Sequence, residues 1–101
     1  MASRQSNTYS ITTTVASAAF IPEQKGRMML EIRNQGAENV HFRFGSEAAT
    51  VANGYRLAPG ESYVAPIAGH ISIKEATHVG AVQIIAAANT SAVVANVDWI
   101  G

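Results

Sequence analysis

A chain of 101 residues has room for one domain and one core. Seven basic and seven acidic residues cancel, and the five Arg and two Lys stand singly, which excludes a phosphate-tracking surface and so a nucleic-acid partner. Cysteine is absent, which excludes a disulfide framework and a thiolate metal site.

The first twenty residues, MASRQSNTYSITTTVASAAF, end in small residues, but their centre is too polar for the apolar stretch of a secretory signal. No run approaches the roughly 18 apolar residues of a membrane span, so no membrane partner is expected. Thr8 to Phe20 is β-branched and Thr-rich, which stiffens χ1 and favours a pleated strand. Tyr9, Ile11, Thr13 and Val15 share one parity; Thr12, Thr14, Ala16, Ala18 and Phe20 share the other. Neither face is decisively apolar, which fits an edge strand or one that pairs with a neighbouring subunit. Residues 1–20 therefore read as an N-terminal arm and edge strand, and 21–101 as the body. Tyr9, Ile11, Thr13, Val15 and Phe20 become candidate interface residues. Pro22 ends the run because it cannot donate to a ladder.

The central stretch is Arg27 to Gly45, RMMLEIRNQGAENVHFRFG. Met28, Leu30 and Ile32 alternate with Met29, Glu31 and Arg33; Val40, Phe42 and Phe44 alternate with His41 and Arg43. The polar link Asn34 to Asn39 contains Gly36, which can take positive φ. The pair reads as a β-hairpin with a wet face of Glu31, Arg33, His41 and Arg43. Ser46 to Gly54 is a polar loop, with room for one helical turn capped by Ser46. Tyr55 to Leu57 is a short strand. In Ala58 to Glu61, Pro59 and Gly60 fit the two central positions of a type II turn. Ser62 to Ile67 continues extended, with Pro66 marking an edge or bend.

Gly69 to Lys74 is a further strand, with Ile71 and Ile73 facing in, and Glu75 to Gly80 is a turn. In Ala81 to Ala88 the alanines favour helix. Val82, Ile84, Ile85 and the short span between Gly80 and Asn89 favour a strand buried on both faces. Val93, Ala95, Val97 and Trp99 alternate with Val94, Asn96 and Asp98, and Trp99 is expected to plug the base of the core. About seven or eight short strands separated by turn signals indicate an all-β, antiparallel β-sandwich, jelly-roll-like or Ig-like.

Chemistry finds little footing. His41, His70 and His78 show no metal-ligand spacing with one another or with a carboxylate. Ser46 and Ser62 lack a nucleophile-elbow context, and Glu31, Glu38, Glu47, Glu61, Glu75 and Asp98 fall in turns or on solvent parities. No enzyme, metal or cofactor is expected. Tyr55 and Tyr63 flank the Pro59-Gly60 turn and could stack on a sugar, or simply cover the sandwich rim. Only 14% of residues are charged against about 25% in an ordinary soluble domain, so part of the exterior is expected to be covered by other protein.

Arg27, Leu30, Ile32, Asn34 and Gly36 form R-x-x-L-x-I-x-N-x-G, followed by Val40 to Gly45. Gly54, Leu57, Pro59, Gly60 and Ser62 come next, then Gly69, Ile71 and Ile73. This layout resembles the small β-sandwich virion proteins of tailed bacteriophages, such as capsid decoration or cement proteins and related head or neck accessories. The resemblance spans roughly half the chain and consists of strand-and-turn grammar. It implies a structural role in the virion, without a cofactor, as a homo-oligomer (a trimer) bound to the major capsid protein or another virion protein. A neck or tail adaptor or a fibre-associated protein shares that grammar. A glycan- or host-binding module, using Tyr55 and Tyr63, is the reading from a different class.

Overall fold

The computed structural model describes residues 4–24, 26–65 and 80–100. They hold eight strands: β1 (Arg4–Thr13), β2 (Ala18–Ile21), β3 (Arg27–Asn34), β4 (Val40–Phe44), β5 (Tyr55–Leu57), β6 (Ser62–Ala65), β7 (Val82–Ala86) and β8 (Ser91–Ile100). No described residue is helical. Two antiparallel four-stranded sheets result, sheet A in the order β1-β8-β3-β6 and sheet B in the order β2-β7-β4-β5. Each strand pairs with the one whose number completes nine: β1 with β8, β2 with β7, β3 with β6, β4 with β5. The β3–β8 and β4–β7 ladders then join these pairs. That is one long antiparallel ribbon wrapped on itself, a jelly roll, which decides between the two sandwich types expected.

The alternation in Arg27 to Gly45 is real, but the hairpin is not. β3 lies in sheet A between β8 and β6, and β4 lies in sheet B between β7 and β5. Leu30 and Ile32 therefore meet Val40 and Phe42 across the sandwich, all fully buried, rather than side by side. Period-two alternation fixes which face is buried but not which strand lies alongside. Chemistry in the link decides it: Asn34 to Asn39 is a bridge between sheets, as described below.

Thr8 to Phe20 likewise divides. β1 stays in sheet A, residues 14–17 cross over, and β2 enters sheet B. The crossing is fixed where the Ala86 amide donates to Thr14 O at 2.7 Å. Residues 4–13 are extended, as an arm would be, but lie along β8 of the same chain over ten consecutive residue pairs. β1 and β2 are thus edge strands of the two sheets and part of the sandwich.

β7 is a strand despite its alanines, because β2 and β4 supply partners on both sides. Val82, Ile84 and Ala86 are buried, whereas Gln83 and Ile85 on the other face are only half-buried. In β8, Val93, Ala95 and Val97 enter the core and Trp99 packs on its border. The expected strand Gly69–Lys74, the turn that follows it, His70 and His78 lie outside the described residues.

Candidate interaction surfaces

Several described motif residues that carried the family resemblance turn out to hold the fold; Gly69, Ile71 and Ile73 lie outside the described residues. Asn34 is fully buried at one pole of the sandwich. Its Nδ2 donates to Glu38 O at 2.7 Å and Leu57 O at 2.9 Å, while its Oδ1 accepts from Gly36 N at 3.1 Å and Ser91 Oγ at 2.8 Å. Its backbone N–H donates to Glu61 O and its carbonyl accepts from Gly60 N. The side chain thus ties β3 to β8, the end of β5 and the β3–β4 connection, and the backbone adds the β5–β6 turn, a satisfied polar network of the kind that fixes a single arrangement. Gly36 is required beside it, since a Cβ there would meet Ser91 Oγ at 1.9 Å and the Ala92 backbone N at 2.6 Å. Gly60 has φ +83° and the Glu61 amide reaches Ala58 O at 2.9 Å, the type II turn expected. Arg27 is buried, and its guanidinium donates to Pro22 O at 2.8 Å and Gly80 O at 3.0 Å, binding the β2–β3 link to the segment entering β7.

The outer face of sheet A is open. β1 presents Ser6, Thr8, Ser10 and Thr12, all exposed, and β6 presents exposed Ser62 and Val64. A hydrogen-bonded row crosses the four strands. Thr8 Oγ1 donates to Asn96 Oδ1 at 2.8 Å, and Asn96 Nδ2 donates to Glu31 Oε1 at 3.1 Å. Arg33 then bridges Glu31 Oε2 and Ser62 Oγ, both at 3.3 Å. These contacts are exposed or partly so, and each stabilises little; their effect is to hold a flat, weakly charged surface in one pattern. Two shallow depressions of about 400 and 380 Å³ lie along the β1–β8 pair.

The outer face of sheet B is covered over β4, while Ala19 and Arg56 on its edge strands are exposed. Residues 45–54 fold back over it, anchored where Ala49 N donates to Ser17 Oγ at 2.9 Å and where Gly54 packs against β4. A Cβ on Gly54 would lie 2.9 Å from His41 Cβ. In place of the possible helical turn, Thr50 Oγ1 accepts from the amides of Ala52 and Asn53, and Thr50 N donates to Asn53 Oδ1. Ala49 is 1% exposed and His41 only 8%, so His41 does not belong to a wet face as its parity implied. Burial lowers the His41 pKa, and the positive charge of Arg56 on the adjacent strand lowers it further. Glu31, Arg33 and Arg43 do remain at least partly exposed.

The candidate interface residues of the N-terminal segment separate. Thr13 is 1% and Phe20 8% exposed, and Tyr9 and Ile11 pack on the core, so these four serve this chain's own interior. Val15, in the crossing, is 60% exposed. Tyr55 and Tyr63 do come together. Their rings are 6.1 Å apart, and with Phe42 and Phe44 they close the side of the sandwich between β5 and β6. Tyr63 is half-buried against the core, and Tyr55, stacked on Phe42 at 5.5 Å, is 60% exposed. Among the described residues no cluster of His, Asp and Glu could hold a metal. The polar row across sheet A escaped the sequence reading, because its members stand on four strands whose order the alternation does not give. Their outward parities were its only trace.

No protein-family model and no curated protein matches this sequence. Among solved structures the chain is similar to one from the Bacillus endospore appendages, which form a family of disulfide-linked pili. The TM-score is 0.52 at 15% identity, over 97% of this chain and 87% of that one. It also aligns with PirA, with a TM-score of 0.41 and 11% identity, over 95% of this chain and 93% of that one. At such identities the pilus likeness is one of fold.

Proposed function

We propose that this chain is a structural protein that works by assembly and does no chemistry, and that it decorates a tailed-phage head as a cement protein bridging major capsid subunits. The observation that carries the reading is the asymmetry of the exterior. Sheet A presents a four-stranded face of mostly uncharged side chains that is exposed along β1 and β6, while sheet B is overlaid at β4 by its own loop. A flat surface short of charge loses little on desolvation when another protein covers it. Cementing is then mass action: a protein that binds only the assembled lattice stabilises it by its own binding free energy at every site. The likeness to a protein of appendages that form pili is compatible with a structural role. The disulfide linkage of those pili has no counterpart in a sequence without cysteine. In this reading the protein is located in the virion, assembled in the host cytoplasm.

The test is quantitative mass spectrometry of purified particles, together with co-sedimentation of the chain with empty heads. Copy number proportional to that of the capsid subunit is expected. A count fitting one small ring per particle moves the protein to the neck or tail, and absence from particles overturns the virion reading.

One observation favours a second reading. The exposed Tyr55 ring next to Tyr63 offers the platform on which the C–H face of a sugar stacks. A glycan array on the chain and on its Tyr55→Ala variant decides it: binding lost in the variant supports a glycan site, and no binding by either removes it.

A further inference from the structure

The four sheet edges among the described residues are treated very differently. β2 has four residues, a register shift between Ala19 and Ile21, and Pro22 directly after it. β5 has three residues and β6 has four. Short, bulged or proline-flanked edges are the usual protection against unwanted strand pairing. β1 has none of it. It runs for ten residues in unbroken register with β8, contains neither proline nor lysine, and has its one charged residue, Arg4, at its end.

The backbone of this edge faces outward in a defined phase. Ala92 O accepts from Gln35 N at 2.8 Å and so is turned away from β1, and Thr12, its partner, is therefore turned away from β8. The Thr8 amide, in the same phase, is taken up by the side chain of its own neighbour, Asn7 Oδ1, at 2.9 Å. Ser6, Thr8, Ser10 and Thr12 thus turn their N–H and C=O groups to the free side, and all four side chains are exposed. Among the described residues no strand lies beyond them.

We propose that β1 pairs edge to edge with β1 of a second copy of this chain, antiparallel about a two-fold axis, so that two copies of sheet A become one continuous eight-stranded sheet. The strand is self-complementary in this sense. Antiparallel pairing sets Ser and Thr against Ser and Thr on the outer face, a favourable cross-strand match. An antiparallel ladder is also slightly more stable per residue than a parallel one. Among the described edges β1 is the longest, ten residues against at most four, so pairing β1 with β1 gives the longest ladder they allow. This dimer does not depend on the virion reading.

The test is sedimentation equilibrium of the full chain over a concentration series, with a paired charge swap. The wild type is expected to reach twice the 10.6 kDa chain mass. Ser6→Lys with Ser10→Lys places like charges across the pair and is expected to weaken dimerisation about tenfold or more, and Ser6→Glu with Ser10→Glu to do the same. Mixing the two variants is expected to restore the dimer. Both serines are exposed, so far-UV circular dichroism is expected to stay unchanged; should either double variant unfold, the single Ser10→Lys and Ser10→Glu pair carries the same comparison. A wild type that stays monomeric, a trimeric mass, or a dimer indifferent to both charge swaps overturns the proposal.

Discussion

The two sheets share one interior and have opposite exteriors. Their inner faces are equally dry: Leu30, Ile32, Val93 and Ala95 of sheet A and Val40, Phe42, Val82 and Ile84 of sheet B are all fully buried. On the outside, sheet B hides His41 beneath residues 45–54, while the outward side chains of β1 and β6 in sheet A are exposed, Val64 to 55%. The difference teaches where to look for a partner. Among the described residues, the sheet whose outer strands are exposed also owns the long unguarded edge.

Breaking what the two sheets share should have the largest effect. Phe42→Ala empties a fully buried ring contacting Phe44, Tyr55 and Tyr63. Equilibrium urea unfolding should show a loss of about 3–5 kcal/mol, with both sheets melting together. Next comes the pole where they are tied. Asn34→Ala strands the Leu57 carbonyl and the Gly36 amide and leaves Ser91 Oγ only the longer bond to Glu38 O, and a loss of about 2–4 kcal/mol is expected by the same method.

The covered face should show a pH dependence of its own. The His41 pKa is depressed in the folded chain from its ordinary 6.5, so folding favours the neutral ring. Its contribution is complete above the unfolded pKa and is lost as pH falls from there through the lower folded value. Thermal melts between pH 7 and 5 should fall on acidification, and His41→Gln should remove that part of the slope. The smallest effect belongs to the open face. Asn96→Ala cuts the row between Thr8 and Glu31 and should cost about 0.5–1 kcal/mol. A large loss there would mean that the outer row holds the fold and is not surplus to it.

The sequence made the inward residues readable because a pleated strand exposes alternate side chains whatever its neighbours are. Leu30, Ile32, Val40, Phe42, Val93 and Val97 were legible for that reason alone. Strand neighbours were not, which is why β3 and β4 read as a hairpin. The clue was Asn34, whose side chain is spent on a pole between sheets, but an Asn before a Gly also suits a tight turn. The burial of His41 was hidden because it depends on a loop crossing from the far side of β5 rather than on parity. Phe20 and Tyr9 were visible as apolar residues in a mixed segment. That they pack on this chain's own core was not legible, because the strand order that puts them there is not written in the alternation. The open edge of β1 was legible only as its composition.

The most direct test of the claim that this molecule meets its partners through sheet A is hydrogen–deuterium exchange of the full chain, read residue by residue in dilute and concentrated solution. Extra protection at the amides of Ser6, Thr8, Ser10 and Thr12, with residues 45–54 unchanged, is the expected result. Protection that gathers on residues 45–54 while β1 keeps its dilute-solution rates would contradict it.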